Sequence, residues 1–149
     1  MGSRQDWLDD REQQAWRVYL RAHAELLATL HRRLMEQTGL SITDYEVLVN
    51  LSEAPDERLR IGALADALQW ERSRVSHQVS RMVRRGLVER DDCDTDGRGA
   101  YAVLTPLGRT VLAAAAPMHA ADVRSLFVEP VGSSLDGLTA ASRSILDAQ

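Results

Sequence analysis

The chain has 149 residues, of which 44% are apolar, and this is enough for one globular domain with a substantial core. No apolar run approaches the ~20 residues that a membrane-spanning helix needs, and the polar, acidic N-terminal segment argues against a secretory signal. The single cysteine, Cys93, excludes an internal disulfide, so we expect a cytoplasmic protein without cofactors. The net charge of −4 at first argues against a nucleic-acid partner.

The distribution of charge changes that interpretation. Residues 72–86 contain five arginines and no acid, whereas residues 1–71 sum to −5 and residues 87–149 to −4. A basic stretch in an acidic protein is a local footprint for a polyanion. All the fixed positive side chains are arginines, which suits bidentate contacts to phosphate and guanine, although genome composition explains the absence of lysine equally well.

The first long segment has helical periodicity from about Arg11 to Gln37 and ends at Gly39. A helix of about 27 residues is about 40 Å long, more than a small domain needs to cover its own core. We therefore expect part of its apolar seam to pack on a second copy of the chain. The seam consists of Trp16, Leu20, His23, Leu27, Leu30 and Leu34.

Three shorter helices follow in the chain. Thr43 as N-cap and Glu46 at N3 fit a capping box for a helix that runs to about Ser52. A short helix over Ile61–Leu68 and another over about Arg72–Arg85, closed by Gly86, come next. The small residues of the short helix allow a second helix to cross it closely, as a helix-turn-helix requires.

The pattern then changes to two short strands, residues 87–90 and 101–104, joined by a polar Asp/Gly-rich loop, which is typical of a hairpin. Thr105-Pro106 starts a helix that we expect Pro117 to kink or interrupt and that resumes to about Phe127. A break at residues 129–132 precedes a final helix over about Ser134–Leu146. The predicted fold is mainly α with a small β-hairpin wing, a winged helix-turn-helix flanked by long terminal helices.

The helix from Arg72 carries the most informative pattern. At 100° per residue its valines and Met82 gather on one side, while polar residues without any carboxylate gather on the other. Arginine reads guanine, glutamine reads adenine, and serine or histidine contacts phosphate or base in the major groove. The predicted core side consists of Val75, Val79, Met82 and Val83, and the predicted exposed side of Ser73, Arg74, His77, Gln78, Arg81 and Arg84.

The hairpin loop places Arg98 between glycines at a predicted tip, where it can enter a narrow minor groove. Asp96 can hold that guanidinium in a defined geometry through a salt bridge. The alternative is an ordinary solvent-exposed turn, in which Asp and Gly serve turn chemistry alone.

These motifs resemble the MarR (multiple antibiotic resistance regulator) family of winged-helix proteins. The matching block, from about Ile61 to Gly108, includes Leu64-Ala65-x-x-Leu68, Ser73-x-Val75-Ser76-x-x-Val79, Gly86-Leu87-Val88-Glu89-Arg90, Asp96-Gly97-Arg98-Gly99 and Leu104-Thr105-x-x-Gly108. The resemblance implies one MarR-like domain over residues 1–149. Within it, residues 11–38 and 106–149 form the dimerisation helices and residues 40–105 the DNA-binding part.

The resemblance also implies an obligate homodimer, a recognition helix within Arg72–Arg85, a wing that contacts the minor groove and a small-molecule pocket. The function expected is a sequence-specific regulator of a palindromic operator in double-stranded DNA, a repressor released by a small ligand. The alternative is a protein-interaction module, such as an antirepressor, that does not read DNA sequence. The predicted DNA-contacting residues are Ser73, Arg74, Ser76, His77, Gln78, Arg81 and Arg98.

The remaining candidates are weaker. Trp16, Tyr19 and His23 lie within two helical turns and fit either an aromatic ligand pocket, for a small aromatic or phenolic effector, or plain packing, which apolar helical stripes favour. The carboxylates beside Cys93 argue against a redox sensor, because they raise a thiol pKa. No metal-ligand spacing and no nucleophile–base motif is present in the sequence, so we expect neither a metal site nor an enzyme.

Overall fold

The computed structural model describes residues 7–92 and 99–149. The chain divides into two compact units, one formed by Arg33–Ala121 and the other by Met1–Arg32 together with Asp122–Gln149. The fold class is confirmed: the chain is mostly helical, with one small antiparallel sheet. The helices are α1 (Asp10–Thr38), α2 (Ile42–Glu53), α3 (Ile61–Leu68), α4 (Arg72–Arg84), α5 (Pro106–Val123), α6 (Glu129–Val131) and α7 (Leu135–Asp147), and the strands are β1 (Arg58–Arg60), β2 (Val88–Asp91) and β3 (Tyr101–Leu104).

Helix α2 begins earlier than the sequence predicts. Its N-cap is Ser41, whose hydroxyl accepts from the Asp44 amide at 3.0 Å, while the Asp44 carboxylate accepts from the Ser41 amide at 3.0 Å. The prediction of Thr43 as the N-cap was wrong, because the reciprocal pair two residues earlier satisfies the free amides of the first turn. Asp44 is thereby fixed at the start of α2.

The sheet has three strands in the order β1-β3-β2, all antiparallel. Val88 pairs with Leu104 in the hairpin, and Arg58 pairs with Val103 on the other side of β3. Strand β1 was not predicted, because three residues with two arginines carry no apolar alternation. The hairpin strand β2 begins at Val88, one residue later than expected.

The junction between β2 and α5 is tightly bonded. The Thr105 hydroxyl lies 2.7 Å from the Gly86 carbonyl and 2.9 Å from the Leu87 carbonyl, and it accepts from the Gly108 amide at 2.9 Å. The predicted interruption at Pro117 was wrong, since α5 continues through it to Val123. The irregular region comes later, as a π-helical turn over Arg124–Val128 and a break at Gly132, where φ is +53°.

The core of the unit Arg33–Ala121 is a single apolar cluster under the sheet and between α2, α3 and α4. Its fully buried large side chains are Leu34, Leu40, Val47, Leu48, Leu51, Leu64, Val75, Val79, Met82 and Val88. This cluster holds α4 against the rest of the unit, with one face directed inward.

The other unit exposes an unusual amount of apolar surface, most of it on its part of α1 and on α7, with the rest just before α1 and just before α6. The exposed large side chains there are Trp7, Leu8, Trp16, Val18, Tyr19, Leu20, Leu27, Val128, Ile145 and Leu146. Contiguous exposed apolar surface marks an interaction site in a monomer. Among the described residues, one helical stretch, Pro106–Asp147, is long and apolar enough to cross a membrane by length and composition alone, although charged residues interrupt it.

Candidate nucleic-acid interface

Helix α4 is oriented by the residues that it buries. Val75, Val79 and Met82 are completely buried, as predicted, so the side of the helix opposite them must face outward. The prediction that Val83 belongs to the core side was wrong, since 38% of its surface is exposed. Val83 lies about 80° from Val75 in helical projection, at the edge of the buried side of α4.

The outward side of α4 is basic and polar. Residues 72–86 contain no acid, and Glu71, which caps the helix, makes no side-chain capping bond. Ser76 is half-buried at the margin of this surface. The exposed polar side chains on this side are Arg72, Ser73, Arg74, His77, Ser80, Arg81 and Arg84. The structure thus brings together five of the six predicted α4 contacts, Ser73, Arg74, Ser76, His77 and Arg81, on one accessible surface.

Gln78 is the exception, and its placement on the exposed face was wrong. Only 2% of its surface is accessible, and its Nε2 donates to Asp44 Oδ1 at 2.6 Å. The helical projection puts position 78 about 60° from Val75, next to the core side. Polarity suggested the outward face, but a buried polar partner on α2 satisfies the amide instead.

Asp44 is the centre of a hydrogen-bond network between α2 and α4. Its Oδ2 accepts from Arg85 Nη1 at 2.7 Å, and Arg85 Nη2 also donates to the Gly39 carbonyl at 3.0 Å. Burial alone would raise the pKa of Asp44, but the hydrogen bonds and charge of Arg85 and the bonds from Ser41 outweigh it and hold the pKa below its ordinary value. Asp44 is therefore a buried anion at neutral pH.

Two of the exposed arginines of α4 are held in place by neighbours. The Arg74 guanidinium lies 3.9 Å above the ring of Trp70, in a cation–π contact. Arg81 donates from Nη2 to the Oε1 of the buried Gln78. Both side chains keep most of their guanidinium donors free of these contacts, since the fork carries five N–H groups.

A shallow cleft of about 330 Å³ lies between the start of α4 and the sheet. It is lined by Arg72, Ser73, Ser76 and Arg90, and Arg90 Nη1 donates to Ser76 Oγ at 3.2 Å. Gly62 leaves room for this arrangement, because a Cβ there would lie 3.2 Å from an Arg72 guanidinium nitrogen. Arg90 was not among the predicted site residues, although its position on the strand that follows α4 was the available signal.

A second basic group missed by the sequence analysis lies on β1. The guanidinium groups of Arg58 and Arg60 lie 3.9 and 4.7 Å from the centre of the Tyr101 ring. Arg58 also pairs with Asp91 at 3.3 Å, which ties β1 to β2 across the sheet. No sequence signal identified these contacts, because β1 itself was not expected.

The predicted wing salt bridge between Asp96 and Arg98, and the cysteine Cys93, lie outside the described residues. The two strands that carry this loop are in place, since Arg90 pairs with Ala102 and Asp91 with Tyr101.

The aromatic cluster of α1 is ordered. The Trp16 and Tyr19 rings are stacked with centroids 6.0 Å apart, and the Tyr19 and His23 rings are 6.1 Å apart. Tyr19 and His23 line a cavity of about 360 Å³ whose other walls are apolar and include Phe127 and Leu138. Within residues 7–92 and 99–149, no three potential metal ligands come together.

Comparison with known proteins identifies the family. The MarR family profile matches residues 38–99. The chain is 40% identical to AbsC, a MarR family transcriptional regulator from Streptomyces coelicolor, with 95% of this chain and 96% of AbsC covered and a TM-score of 0.88. It is 36% identical to Sco3205, a MarR family regulator from the same organism solved in complex with DNA, with 95% and 88% covered and a TM-score of 0.88.

A third match is a MarR family transcriptional regulator from Silicibacter pomeroyi, 29% identical, with 95% of this chain and 100% of that one covered and a TM-score of 0.75. A search of the curated proteins gives no match. The identity and coverage shared with AbsC and Sco3205, with a TM-score of 0.88 for each, establish that this chain belongs to the MarR family of transcriptional regulators.

Proposed function

We propose that this regulator binds a palindromic operator in double-stranded DNA with α4 and represses transcription from it. The observation that carries the proposal is the outward side of α4, which is exposed, basic and free of carboxylates, while the opposite side is completely buried. A solvated helix normally mixes charges of both signs. A helix side that is rich in donors and free of carboxylates is suited to base edges and phosphates in the major groove.

The residues divide between reading and anchoring. Ser73, Arg74, His77 and Arg81 face outward along α4 and are proposed to enter the major groove. Ser76, with Arg72 and Arg90 in the adjoining cleft, is suited to phosphate. We also propose that Arg98 enters the minor groove and that a salt bridge to Asp96 orients it.

A two-fold dimer accounts for a palindromic site. Two copies of α4 then reach successive major grooves about 34 Å apart, on half-sites about one helical turn apart. The support is the exposed apolar surface of the unit formed by Met1–Arg32 and Asp122–Gln149, which includes Trp16, Leu20 and Ile145. Burial of these side chains against a second copy removes apolar surface from water. The same role accounts for the apolar composition of Pro106–Asp147 in a cytoplasmic protein.

Release by a small ligand is the second part of the proposal. The cavity beside Tyr19 and His23 has apolar walls and a volume of about 360 Å³. Pockets for small molecules combine such walls with a few polar groups. A small aromatic or phenolic molecule suits the stacked rings of Trp16, Tyr19 and His23. In the absence of a ligand, the same rings pack the interface between protomers.

The experiment that tests the proposal is a salt titration of DNA binding. The operator affinity of the wild-type protein should fall steeply with salt, because each phosphate contact releases counterions. If Arg74 contacts phosphate, Arg74→Ala should lower the slope of log affinity against log salt by about one and weaken binding to all DNA sequences alike. If Arg74 reads a base instead, the substitution should relax base specificity at one operator position.

Arg17→Ala is the matched control, since Arg17 is an exposed arginine on α1, away from α4 in the chain. It should leave the affinity and the slope unchanged. A wild-type protein without salt-dependent affinity for any DNA would favour the protein-interaction module instead.

A further inference from the structure

Gln78 is a buried polar residue on the core side of the recognition helix, between Val75 and Met82. A polar side chain at such a position has to be satisfied by hydrogen bonds, because an unpaired buried amide loses its bonds to water without replacement. Its two partners are the Asp44 carboxylate on α2 and the Arg81 guanidinium on the exposed side of α4. The amide therefore connects a buried anion to an exposed cation.

The chemistry of the partners fixes the orientation of the amide. An ionised carboxylate only accepts hydrogen bonds and a guanidinium only donates them. The Gln78 nitrogen must then face Asp44 and its oxygen must face Arg81. The structure has this arrangement, with Nε2 bonded to Asp44 and Oε1 bonded to Arg81. The reversed amide would bring oxygen against carboxylate and nitrogen against guanidinium, so the bridge has one arrangement.

Asp44 is itself firmly placed. Its Oδ2 accepts from the Ser41 amide in the cap of α2 and from Arg85 Nη1, which leaves Oδ1 for Gln78. Hydrogen bonds to charged groups are the strong ones, and a side chain with several of them keeps one rotamer. The bridge is thus anchored to the backbone of α2 rather than to another mobile side chain.

Arg81 differs in this respect from Arg84, one helical turn further along α4. Both are exposed, but in the described part of the chain Arg84 makes no hydrogen bond. A free arginine loses rotamer freedom when it binds, whereas a guanidinium already fixed in one plane loses less. Fixed geometry matters most where the plane of the fork has to match the edge of a guanine.

We propose that Gln78 is a positioning residue that fixes the plane of the Arg81 guanidinium toward the operator, and that Asp44 fixes Gln78. This inference rests on the proposed DNA-binding function and adds to it. Sequence preference at the operator position that Arg81 contacts then depends on a side chain that is buried and never touches DNA.

The test is a binding-site selection with Gln78→Met, which keeps the length and the burial of the side chain but removes both hydrogen bonds. The selected motif should become degenerate at the Arg81 position alone, and operator affinity should fall by up to about tenfold, the upper end of the cost of ordering one long side chain on binding. In an Arg81→Ala background, Gln78→Met should change neither the motif nor the affinity further. An equal effect in both backgrounds, or an unchanged motif, overturns the proposal.

Arg85→Met is the matched control, because it also removes one hydrogen bond to Asp44 but leaves the bond between Gln78 and Arg81. It should leave the motif at the Arg81 position as in the wild type. If it makes that position degenerate as Gln78→Met does, the network merely holds α2 against α4 and the proposal is wrong.

A measurement on the wild-type protein keeps the proposal testable even if Gln78→Met does not fold. The Arg81 Nε–Hε order parameter of the DNA-free protein, measured by NMR, should match that of rigid backbone, about 0.85, while that of Arg84 should be low. Equal, low values for both arginines overturn the proposal. If the wild-type protein selects no motif at all, the proposed DNA-binding function is wrong. That outcome differs from a failure of the Gln78 proposal alone, in which the wild type still selects a motif.

Discussion

At the scale of single residues, Asp44 links the start of α2 to helix α4. It closes the capping box of α2, accepts from Gln78 and pairs with Arg85, yet only 5% of its side chain is exposed. A buried carboxylate is costly unless its charge is compensated. The Ser41 backbone amide, the Gln78 side-chain amide and the Arg85 guanidinium compensate this charge. Removal of the Asp44 carboxylate should therefore affect the cap of α2 and the position of α4 together.

Asp44→Asn should therefore destabilise the protein at neutral pH by about 1–3 kcal/mol, because it loses charge-assisted hydrogen bonds. Since the pKa of Asp44 is lowered in the folded state, its contribution is fully present above the unfolded pKa of about 3.9. That contribution is lost as the pH falls through the lower folded pKa. Urea unfolding at one protein concentration should show the unfolding free energies of the wild type and Asp44→Asn converge as the pH falls from about 6 to about 3.

Asp66→Asn is the control for this experiment, because Asp66 is an exposed acid on α3. Its effect should stay within about 0.5 kcal/mol at every pH. A gap between wild type and Asp44→Asn that stays constant on acidification would contradict the assignment of a lowered pKa to Asp44.

The residue scale is also where sequence reasoning failed most clearly. The apolar spacing of Val75, Val79 and Met82 sufficed to predict the buried side of α4. Gln78 was assigned to the exposed side because of its polarity, and its partner lies 34 positions away on another helix. A long-range hydrogen bond leaves no periodic signal in the sequence, so neither this residue nor the role of Asp44 could be predicted.

At the scale of elements, the junction from the wing into α5 depends on close backbone approach. Gly108 lies in the first turn of α5, where an added Cβ would fall 2.1 Å from the Leu87 carbonyl oxygen and 2.9 Å from Leu104. The neighbouring Thr105 hydroxyl binds the same carbonyl at 2.9 Å. Neither the strand nor the helix can retreat without the loss of these hydrogen bonds.

Gly108→Ala should for this reason destabilise the protein by at least about 1–3 kcal/mol, as overpacking against a rigid neighbour does. Gly137→Ala is the matched control, since a Cβ at this helical position of α7 meets nothing within 4 Å. That substitution should stabilise the protein by about 0.5–1 kcal/mol through helix propensity. Thermal unfolding of the two variants measures the difference, and equal effects would contradict this view of the junction.

Most helices and strands could be predicted from local patterns in the sequence. Helices α1, α3 and α4 and strand β3 agree with the predicted segments to within one residue, because each combines clear periodicity with a defined end. Strand β1 exists only because β3 offers it an edge, which no local pattern reveals. The break expected at residues 129–132 is present at Gly132, whereas the interruption expected at Pro117 is absent, because Pro117 is tolerated inside α5.

At the scale of the whole molecule, the account requires a dimer. Ile145 and Leu146 of α7 are 57% and 72% exposed in the single chain, which leaves much apolar surface in water. Burial of one such side chain stabilises an interface by about 1.5–3 kcal/mol, and a two-fold dimer buries each of them twice.

Substitution of Leu146→Glu should accordingly weaken dimerisation about a hundredfold or more. Ala140→Glu on the opposite side of α7 is the matched control and should leave the dimer intact, because position 140 lies away from Ile145 and Leu146 in helical projection. Sedimentation equilibrium at micromolar concentration distinguishes the two forms. A monomeric wild-type protein would rule out the two-fold arrangement of α4.

The most direct test of the central claim, that this chain reads DNA as a dimer through α4, is a footprint of the purified protein on the DNA that flanks its own gene. The account predicts one protected near-palindrome with half-sites about 10–10.5 bp apart. Protection should disappear as salt is raised, and Arg81→Ala should weaken it by about 1–3 kcal/mol. Absence of protection at low salt, or protection that Arg74→Ala and Arg81→Ala both leave unchanged, would contradict the account.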